Sequence, residues 1–215
     1  MLREDNNFYN GETKVSGGKL VVNGKHTGTG AVQILADAIL GGKGSLNGNV
    51  TVENGGVIMA GDTLVDNSVL TLNGRCSLKS GSTMGLNLKA DGTTNYIKAN
   101  GGLDIDGAVL DVNLEDVEEI ENGTLFKVFD ASSVTGSGFA SITPENPSAD
   151  QFWDKSRLMS EGVLRVISRD EYVAEINSAV IREDEKANVF TLGGVRSDKS
   201  HKGICIKNGK KQIVR

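Results

Sequence analysis

The stretch GGKGSLNGNVTVENGGVIMAGD (residues 41–62) decides the fold. It contains seven glycines and three asparagines in twenty-two positions, yet the alternating strand NVTVE (49–53) lies in its middle. A strand that leads directly into Asn-Gly must turn at once, because these residues adopt the backbone conformations that tight turns require. The stretch therefore predicts short strands that are separated by sharp corners.

The same pattern recurs along the first half of the chain. Short apolar strands end at Asn-Gly or Asp-Gly in KLVVNG (19–24), GSLNGNVTVENG (44–55), SVLTLNG (68–74) and GGLDIDG (101–107). Leu20, Leu46 and Leu70 begin the first three segments at spacings of 26 and 24 residues, within the ~20–45 residues of solenoid repeats. Further strands are predicted at 31–40, 55–61 and 108–114. Two or three short strands per repeat, with Gly or Asn at each corner, predict a β-helix.

The alternation within these strands predicts which side chains point inward. Val50 and Val52, like Leu70 and Leu72, fall on one side of a strand, and we expect them in the interior. Strands of successive repeats would stack about 4.8 Å apart. Asparagines at equivalent corners can then form hydrogen bonds along the stack.

Composition supports a thin core and excludes several functions. Aromatic residues make up 5% and hydrophobic residues 38% of the 215 positions, which is low for a compact globular core. The net charge of −5 argues against a nucleic-acid partner. No window approaches the ~18 apolar residues of a transmembrane span, and the charged start MLREDNNFYNGE is not a signal peptide. We expect a fragment whose export signal lies upstream. Cys76 and Cys205 are too few for a disulfide framework.

The second half of the chain predicts two further regions. Residues 1–123 form the solenoid, with an acidic loop at 114–123, and residues 124–167 form a capping β region. We expect the aromatic residues that concentrate there to close the end of the stack: Phe126, Phe129, Phe139, Phe152 and Trp153. Residues 168–215 form a linker and a small β module, with strands predicted at 189–192, 203–207 and 211–214. Asn208-Gly209 predicts a hairpin between the last two strands.

Two family resemblances follow from these segments. Residues of about 10–167 resemble the autotransporter-associated β-strand repeat and the passenger end that follows it, through GGKGSLNGNVTVENGGVIMAGD, LTLNG and LFKVFDASSVTGSGFASITPENPSADQFWDKSRLMSEGVLRVI. That resemblance implies a right-handed parallel β-helix at a bacterial cell surface. Residues of about 171–215 resemble the C-terminal sorting tails of type IX secreted proteins, through VFTLGGVR and KGICIKNGKKQIVR. This second resemblance implies that a secretion machine recognises the tail.

Few residues qualify as candidates for chemistry. His26 and His201 lie in segments predicted as exposed loops, and neither HTGTG (26–30) nor GGKGS (41–45) has phosphate-loop spacing. Asp104 and Asp106 share one strand face, and we expect Asp111 beside them on an adjacent strand. Such acids could bind Ca²⁺ or cleave polysaccharide. The alternative, which we favour, is a solvated outer face.

Two weaker patterns concern sugars. The Tyr and Trp residues that could stack on a glycan are scattered, at Tyr9, Tyr96, Trp153 and Tyr172. Residues 49–51 and 122–124 match the Asn-x-Thr glycosylation pattern, which a bacterial context would leave unused. The sequence thus predicts no catalytic, cofactor-binding or metal-binding residue.

The predicted function is that of a structural and adhesive passenger segment of a bacterial surface or secreted protein. The expected partners are a host or matrix glycan or protein, and the secretion machinery through the tail. The competing hypotheses are a carbohydrate-active β-helix, either lyase or hydrolase, and an accessory region of a larger polysaccharide-acting enzyme. The fold is compatible with all three, since fold does not determine function.

Overall fold

The structure is a computed structural model that describes residues 7–61, 67–114 and 119–174, together with the backbone of the strands at 189–191, 196–197, 203–207 and 210–214. The chain divides into two compact units, Met1–Ser168 and Arg169–Arg215. None of the helices in the described part has the length and apolar character that crossing a membrane requires.

The first unit consists mainly of short strands. They are β1 (Thr13–Val15), β2 (Gly18–Val21), β3 (Lys25–His26), β4 (Val32–Ile34), β5 (Ala38–Gly41), β6 (Ser45–Leu46), β7 (Val50–Val52), β8 (Val57–Met59), β9 (Val69–Leu72), β10 (Cys76–Leu78), β11 (Thr83–Asn87), β12 (Tyr96–Ala99), β13 (Leu103–Asn113), β14 (Leu125–Lys127), β15 (Phe129–Ala131), β16 (Val134–Thr143), β17 (Gln151–Asp154) and β18 (Val163–Ser168). A short helix, α1 (Leu158–Glu161), precedes β18.

Strands that lie three apart in the chain pair in parallel and form three stacks. The first stack runs β1-β4-β7-β10 and ends on the first half of β13, and the second runs β2-β5-β8-β11 and ends on its second half. The long strand β13 thereby joins both stacks into one ten-stranded sheet, which β16 extends on the far side of β13. The third stack runs β3-β6-β9-β12-β15. The chain is therefore all-β with parallel sheets, and the prediction is confirmed at that level.

Alternation along each strand sends apolar side chains into one shared core. Val50, Val52, Leu70 and Leu72 are at most 1% exposed, as predicted. Their neighbours in the stacks are also buried, so that Val32, Val50, Cys76 and Leu103 form one continuous interior row. From Val22 to Ile120, the buried hydrophobic residues in the described part of the chain are Val, Leu, Ile, Ala, Met and Cys, so this length of the core is aliphatic apart from its sulfur-containing side chains.

The Asn-Gly pairs at 47–48, 73–74 and 100–101 form the corner between the third and first stacks. The Nδ2 group of Asn73 donates to Oδ1 of Asn47 (2.7 Å), and that of Asn100 donates to Oδ1 of Asn73 (2.8 Å). The predicted hydrogen bonding of asparagines along the stack is confirmed here. The glycine after each asparagine lies against the preceding corner: a Cβ atom on Gly74 would stand 2.5 Å from the carbonyl oxygen of Gly48. Asparagine links the corners, and glycine lets their backbones approach.

The corner between the first and second stacks requires a left-handed residue in each repeat. Asp37, Gly55, Gly81 and Gly107 occupy this position with φ of 62°, 78°, 76° and 73°. The N–H group of each of the first three donates to the carbonyl oxygen of the next, at 3.0–3.2 Å. Glycine is common in this column because side chains other than those of Asn and Asp strain the left-handed region.

The C-terminal part of the first unit changes from parallel to antiparallel pairing. Parallel pairing continues through β15 and β16, beyond the predicted boundary at residue 123. An antiparallel sheet of order β14-β18-β17 follows. Phe126 and Phe129 are at most 1% exposed and Trp153 is 4% exposed, and all three belong to the core that the stacks share.

The second unit is described mainly by its backbone. Residues 169–174 are helical. Its strands β19 (Val189–Thr191), β20 (Arg196–Ser197), β21 (Gly203–Lys207) and β22 (Lys210–Val214) form an antiparallel sheet of order β20-β19-β21-β22. Lys207 pairs with Lys210, which confirms the predicted hairpin. Several predicted features lie outside the described residues: Asn208, Gly209, His201, most of the 168–188 linker and residues 115–118 of the acidic loop.

Two details of the predicted repeat were wrong. Leu20, Leu46 and Leu70 are not equivalent, since Leu20 pairs with Leu40, Leu46 with Leu72 and Leu70 with Ile97. The segment 31–40 is two strands rather than one, because Asp37 adopts a left-handed conformation between them. The first error arises because similar motifs lie before different corners, and the second because Asp37 takes a turn conformation that is more often adopted by Gly.

Candidate functional site

The candidate carboxylates lie on the outer side of β13. Leu103 and Ile105 are fully buried, and Asp104 and Asp106 alternate with them on the opposite side, as predicted. The Thr135 hydroxyl donates to Oδ1 of Asp104 (2.8 Å), and the Ser137 hydroxyl donates to Oδ1 of Asp106 (3.0 Å). Both acids therefore have hydroxyl partners on β16.

Arg75 adds a positive charge to this site. Its Nη2 atom donates to the Thr135 hydroxyl (2.8 Å) and lies 3.8 Å from Oδ1 of Asp104. The side chains of Arg75 and Asp104 are 47% and 27% exposed, so water screens the pair. The arrangement holds the Asp104 carboxylate in a partly solvated network with Arg75 and Thr135.

Asp111 lies apart from the other two acids. It is on the same strand, β13, after Gly107 turns the chain from the first stack to the second, and it pairs with Gly85 and Thr143. The expected position beside Asp104 and Asp106 on an adjacent strand is therefore wrong. In the described part of the chain, no three His, Cys, Asp or Glu side chains are grouped so that they could hold a metal ion.

His26 is buried, in contrast to its predicted place in an exposed loop. It is 2% exposed at the inner side of β3, and its ring centroid lies 4.3 Å from that of Tyr9. Its Nδ1 atom is 2.9 Å from the Asn7 carbonyl oxygen and 3.2 Å from the Gly28 N–H group, so the tautomer decides which contact is a hydrogen bond. Its Nε2 atom has no partner among the described residues. His26 is a core residue at the first strand of its stack.

Cys76 is a free, buried thiol in the interior row of the first stack. Burial, with a smaller contribution from the negative charge of Asp104, raises the pKa of Cys76 to about 12. The thiolate is the reactive form of cysteine, so this residue serves as a small apolar side chain rather than a nucleophile.

Within the described part of the first unit, the Tyr and Trp side chains are not gathered into a stacking platform. The rings of Phe126 and Trp153 pack edge to face at 6.2 Å in the core, and Trp153 Nε1 donates to the Pro144 carbonyl oxygen (3.0 Å). Tyr96 is half-buried with the Lys127 ammonium group 5.8 Å from its ring centroid. Tyr9 and Tyr172 are exposed but belong to different units.

The asparagines of both glycosylation patterns accept structural hydrogen bonds. Oδ1 of Asn49 accepts from the Arg75 N–H group (2.9 Å), which links two successive corners. Oδ1 of Asn122 accepts from Nε2 of Gln151 (3.0 Å). These hydrogen bonds give both asparagines a structural role in the fold.

A cavity of about 300 Å³, which no sequence pattern predicts, lies beside β17. It is lined by Leu114, Glu119, Ile120, Asn122, Pro147, Ser148, Asp150 and Gln151. Within it, Nε2 of Gln151 donates to the Ile120 carbonyl oxygen (2.7 Å). The side-chain amide of Gln151 thus links β17 to the segment that contains Ile120 and Asn122.

The outer faces of the three stacks differ in chemistry, which sequence analysis also missed. The first stack presents a polar row in register: Lys14, Gln33, Thr51, Ser77, Asp104 and Thr135. The third presents Lys25, Ser45, Thr71, Lys98 and Asp130. The second presents Lys19, Ile39, Val57, Thr83, Val109 and Ser141, with Met59 on the same side of β8. The second face is the least polar of the three, although its Ile39, Val57, Met59 and Val109 side chains are partly buried.

Comparison of the chain with protein-family models and with curated proteins finds no match.

Proposed function

We propose that the first unit is a right-handed parallel β-helix that acts as a rigid, non-catalytic structural and adhesive segment of a bacterial surface or secreted protein. The observation that carries this proposal is the continuous parallel pairing of three strand stacks, linked at their corners by Asn-Asn hydrogen bonds. A chain built in this way gains stability from contacts between neighbouring repeats rather than from one large core. Such a segment suits a spacer that displays its outer faces.

The second unit has a separate part in the proposal. Its small antiparallel sheet would be the element that a secretion machine recognises, in keeping with the resemblance to sorting tails. A host or matrix glycan or protein would contact the first unit. We place the protein outside the cell or at the outer-membrane surface on the same grounds.

The alternative is a carbohydrate-active β-helix, and Asp104 and Asp106 are the observation that favours it. These two acids lie on one face of β13, and Arg75 lies near Asp104. The hydroxyl groups of Thr135 and Ser137 already bind both acids, which favours a structural role. An accessory role in a larger polysaccharide-acting enzyme shares this surface.

A polysaccharide panel separates these hypotheses. The full chain is incubated with acidic and neutral polysaccharides, binding is measured by calorimetry, and cleavage is measured as new reducing or unsaturated ends. We expect no cleavage. Turnover that is lost in an Asp104→Asn, Asp106→Asn variant and retained in Asp130→Asn, an acid on the third stack, would overturn the proposal. An experimental density map of the chain tests the handedness directly, since a left-handed path contradicts it.

A further inference from the structure

The lining of the cavity beside β17 combines apolar and acidic residues. Its volume of about 300 Å³ is at the lower end of the range for small-molecule sites. Among the described residues that line it, Glu119 and Asp150 are acids, and none is Lys, Arg or His. The cavity therefore has the size for one compact ligand and an acidic lining that disfavours an anion.

The hydrogen-bond donors of Gln151, in the wall of this cavity, are already in use. Its Nε2 group donates to the Ile120 carbonyl oxygen (2.7 Å) and to Oδ1 of Asn122 (3.0 Å), which accounts for both of its N–H bonds. The Ser148 hydroxyl donates to Oε1 of Gln151 (3.3 Å), so its single O–H bond is also in use. The cavity therefore offers mainly acceptors to a ligand, above all the carboxylate oxygens of Glu119.

A ligand that fits these acceptors must supply hydrogen-bond donors. A protonated amine carries three N–H donors and one positive charge, and its hydrogen bonds to a carboxylate are about twice as strong as those between neutral groups. Glu119 is exposed, so its carboxylate can contact a ligand without any rearrangement of the core. The lining is thus complementary to an organic cation.

Two features favour an amino sugar over a simple alkylammonium group such as a lysine side chain. Asn122 uses Oδ1 as the acceptor for Gln151, so its Nδ2 group can still donate. The ring and hydroxyl oxygens of a sugar accept such a hydrogen bond, whereas an alkylammonium group has no acceptor. The apolar lining residues offer a surface to the C–H groups of a pyranose ring: Leu114, Ile120 and Pro147.

We propose that this cavity binds one pyranose residue that bears a free, protonated amino group, as part of a glycan without acidic sugars. The ammonium group contacts the Glu119 carboxylate, and a sugar oxygen accepts from Nδ2 of Asn122. The C–H groups of the ring pack on the apolar lining residues. An acidic glycan is excluded because its carboxylate or sulfate groups would meet the acids of the cavity.

The size of the cavity predicts weak binding of a single sugar. A ligand with as few atoms as a monosaccharide should have a dissociation constant of about 1–10 mM. Repeated amino sugars along one glycan, and many copies of the chain on one surface, would raise the overall affinity without any new contact. The inference deepens the proposed adhesive function, on which it rests for its biological meaning, because it names the class of glycan.

The test titrates the full chain with four monosaccharides, followed by saturation-transfer NMR and calorimetry, at concentrations up to about 50 mM. Glucosamine carries the amine, N-acetylglucosamine and glucose lack its charge, and glucuronate is an anion. At about pH 6 free amines are protonated. Glucosamine should then bind at least about tenfold more tightly than the two uncharged sugars, because it adds one charge-assisted contact. Glucuronate should not bind.

Three variants locate the contact. Glu119→Gln should weaken glucosamine binding about tenfold and leave glucose binding unchanged, because it removes only the charge. Glu121→Gln changes an exposed acid that is not among the lining residues, so it is the matched control and should change neither affinity. Ser148→Phe, which fills the cavity from an exposed position, should abolish the binding of both sugars. Circular dichroism establishes that each variant is folded.

Each other outcome overturns the inference. Glucosamine that shows no saturable binding means that the cavity holds only solvent. Binding that N-acetylglucosamine matches, or that Glu119→Gln does not weaken, is not recognition of an amine at this carboxylate. An Nα-acetyl-lysine amide that binds as tightly as glucosamine would mean that the cavity takes a protein side chain instead. Polysaccharide cleavage is measured independently, so failure of this site and failure of the spacer hypothesis are distinguishable.

Discussion

The close stacking of corners predicts that a single methyl group at Gly74 strongly destabilises the first unit. A Cβ atom there would lie 2.5 Å from the oxygen and 2.6 Å from the carbon of the Gly48 carbonyl, and 2.7 Å from the Asn49 nitrogen. All three are backbone atoms, so no flexible side chain can move aside. Ordinary overpacking costs about 1–3 kcal/mol. We expect Gly74→Ala to cost about 3 kcal/mol or more.

The matched control is Gly17→Ala. A Cβ atom at Gly17 meets nothing within 4 Å, and this glycine has no left-handed backbone. Replacing such a glycine by alanine is neutral or stabilises by about 0.4–1 kcal/mol, because the unfolded chain loses freedom. The assay is denaturant unfolding followed by circular dichroism, with comparison of midpoints at equal slope. A Gly74→Ala midpoint equal to that of Gly17→Ala would refute the close approach of the corners.

Three further predictions concern the hydrogen bonds between corner asparagines, the core and the buried thiol. Asn73→Ala removes two side-chain hydrogen bonds and should lower the free energy of unfolding by about 1–2 kcal/mol. Asn100→Ala removes one of them and should cost about half as much. Equal costs would contradict the row of hydrogen bonds from Asn47 through Asn73 to Asn100. Leu70→Ala should lower the free energy of unfolding by about 2–4 kcal/mol because it leaves a cavity. Thr71→Ala, on the outward side, should change it by less than about 0.5 kcal/mol. A larger loss in Thr71→Ala than in Leu70→Ala would mean that the strand faces are exchanged. The pKa of Cys76, raised from 9.0 to about 12, implies stability that is fully present below pH 9 and is lost as the pH rises towards 12. The free energy of unfolding of the wild type should therefore fall between pH 8 and pH 11 by more than that of Cys76→Ala, which lacks this thiol.

Local turn chemistry made much of the fold predictable, but it did not determine the register. Asn-Gly pairs mark corners reliably because both residues tolerate turn conformations. The pair at 23–24 follows the second stack, the pair at 47–48 follows the third, and the pair at 54–55 follows the first. One dipeptide thus serves three kinds of corner, and equivalent positions cannot be identified from it.

At the candidate site, the direction of the carboxylates was predictable from the sequence, but their hydrogen-bond partners were not. Leu103 and Ile105 determine the direction of Asp104 and Asp106, because alternate residues of a strand point to opposite sides. Their hydroxyl partners on β16 are 31 residues away, and no local pattern predicts them. In β8, all three residues are apolar, so alternation could not indicate that Val57 and Met59 point outward.

The pairing of strands three apart has a consequence for how such a gene can change. Removal of residues 50–75 would delete β7, β8 and β9 and leave β4 beside β10, β5 beside β11 and β6 beside β12. Loss of a single residue within a strand would instead exchange its two faces. In the proposed β-helix, in-frame duplications and deletions of whole repeats are therefore the tolerated changes, and each would alter the reach of the first unit by about 4.8 Å. A lineage could adjust that reach by recombination between repeats without refining any new contact.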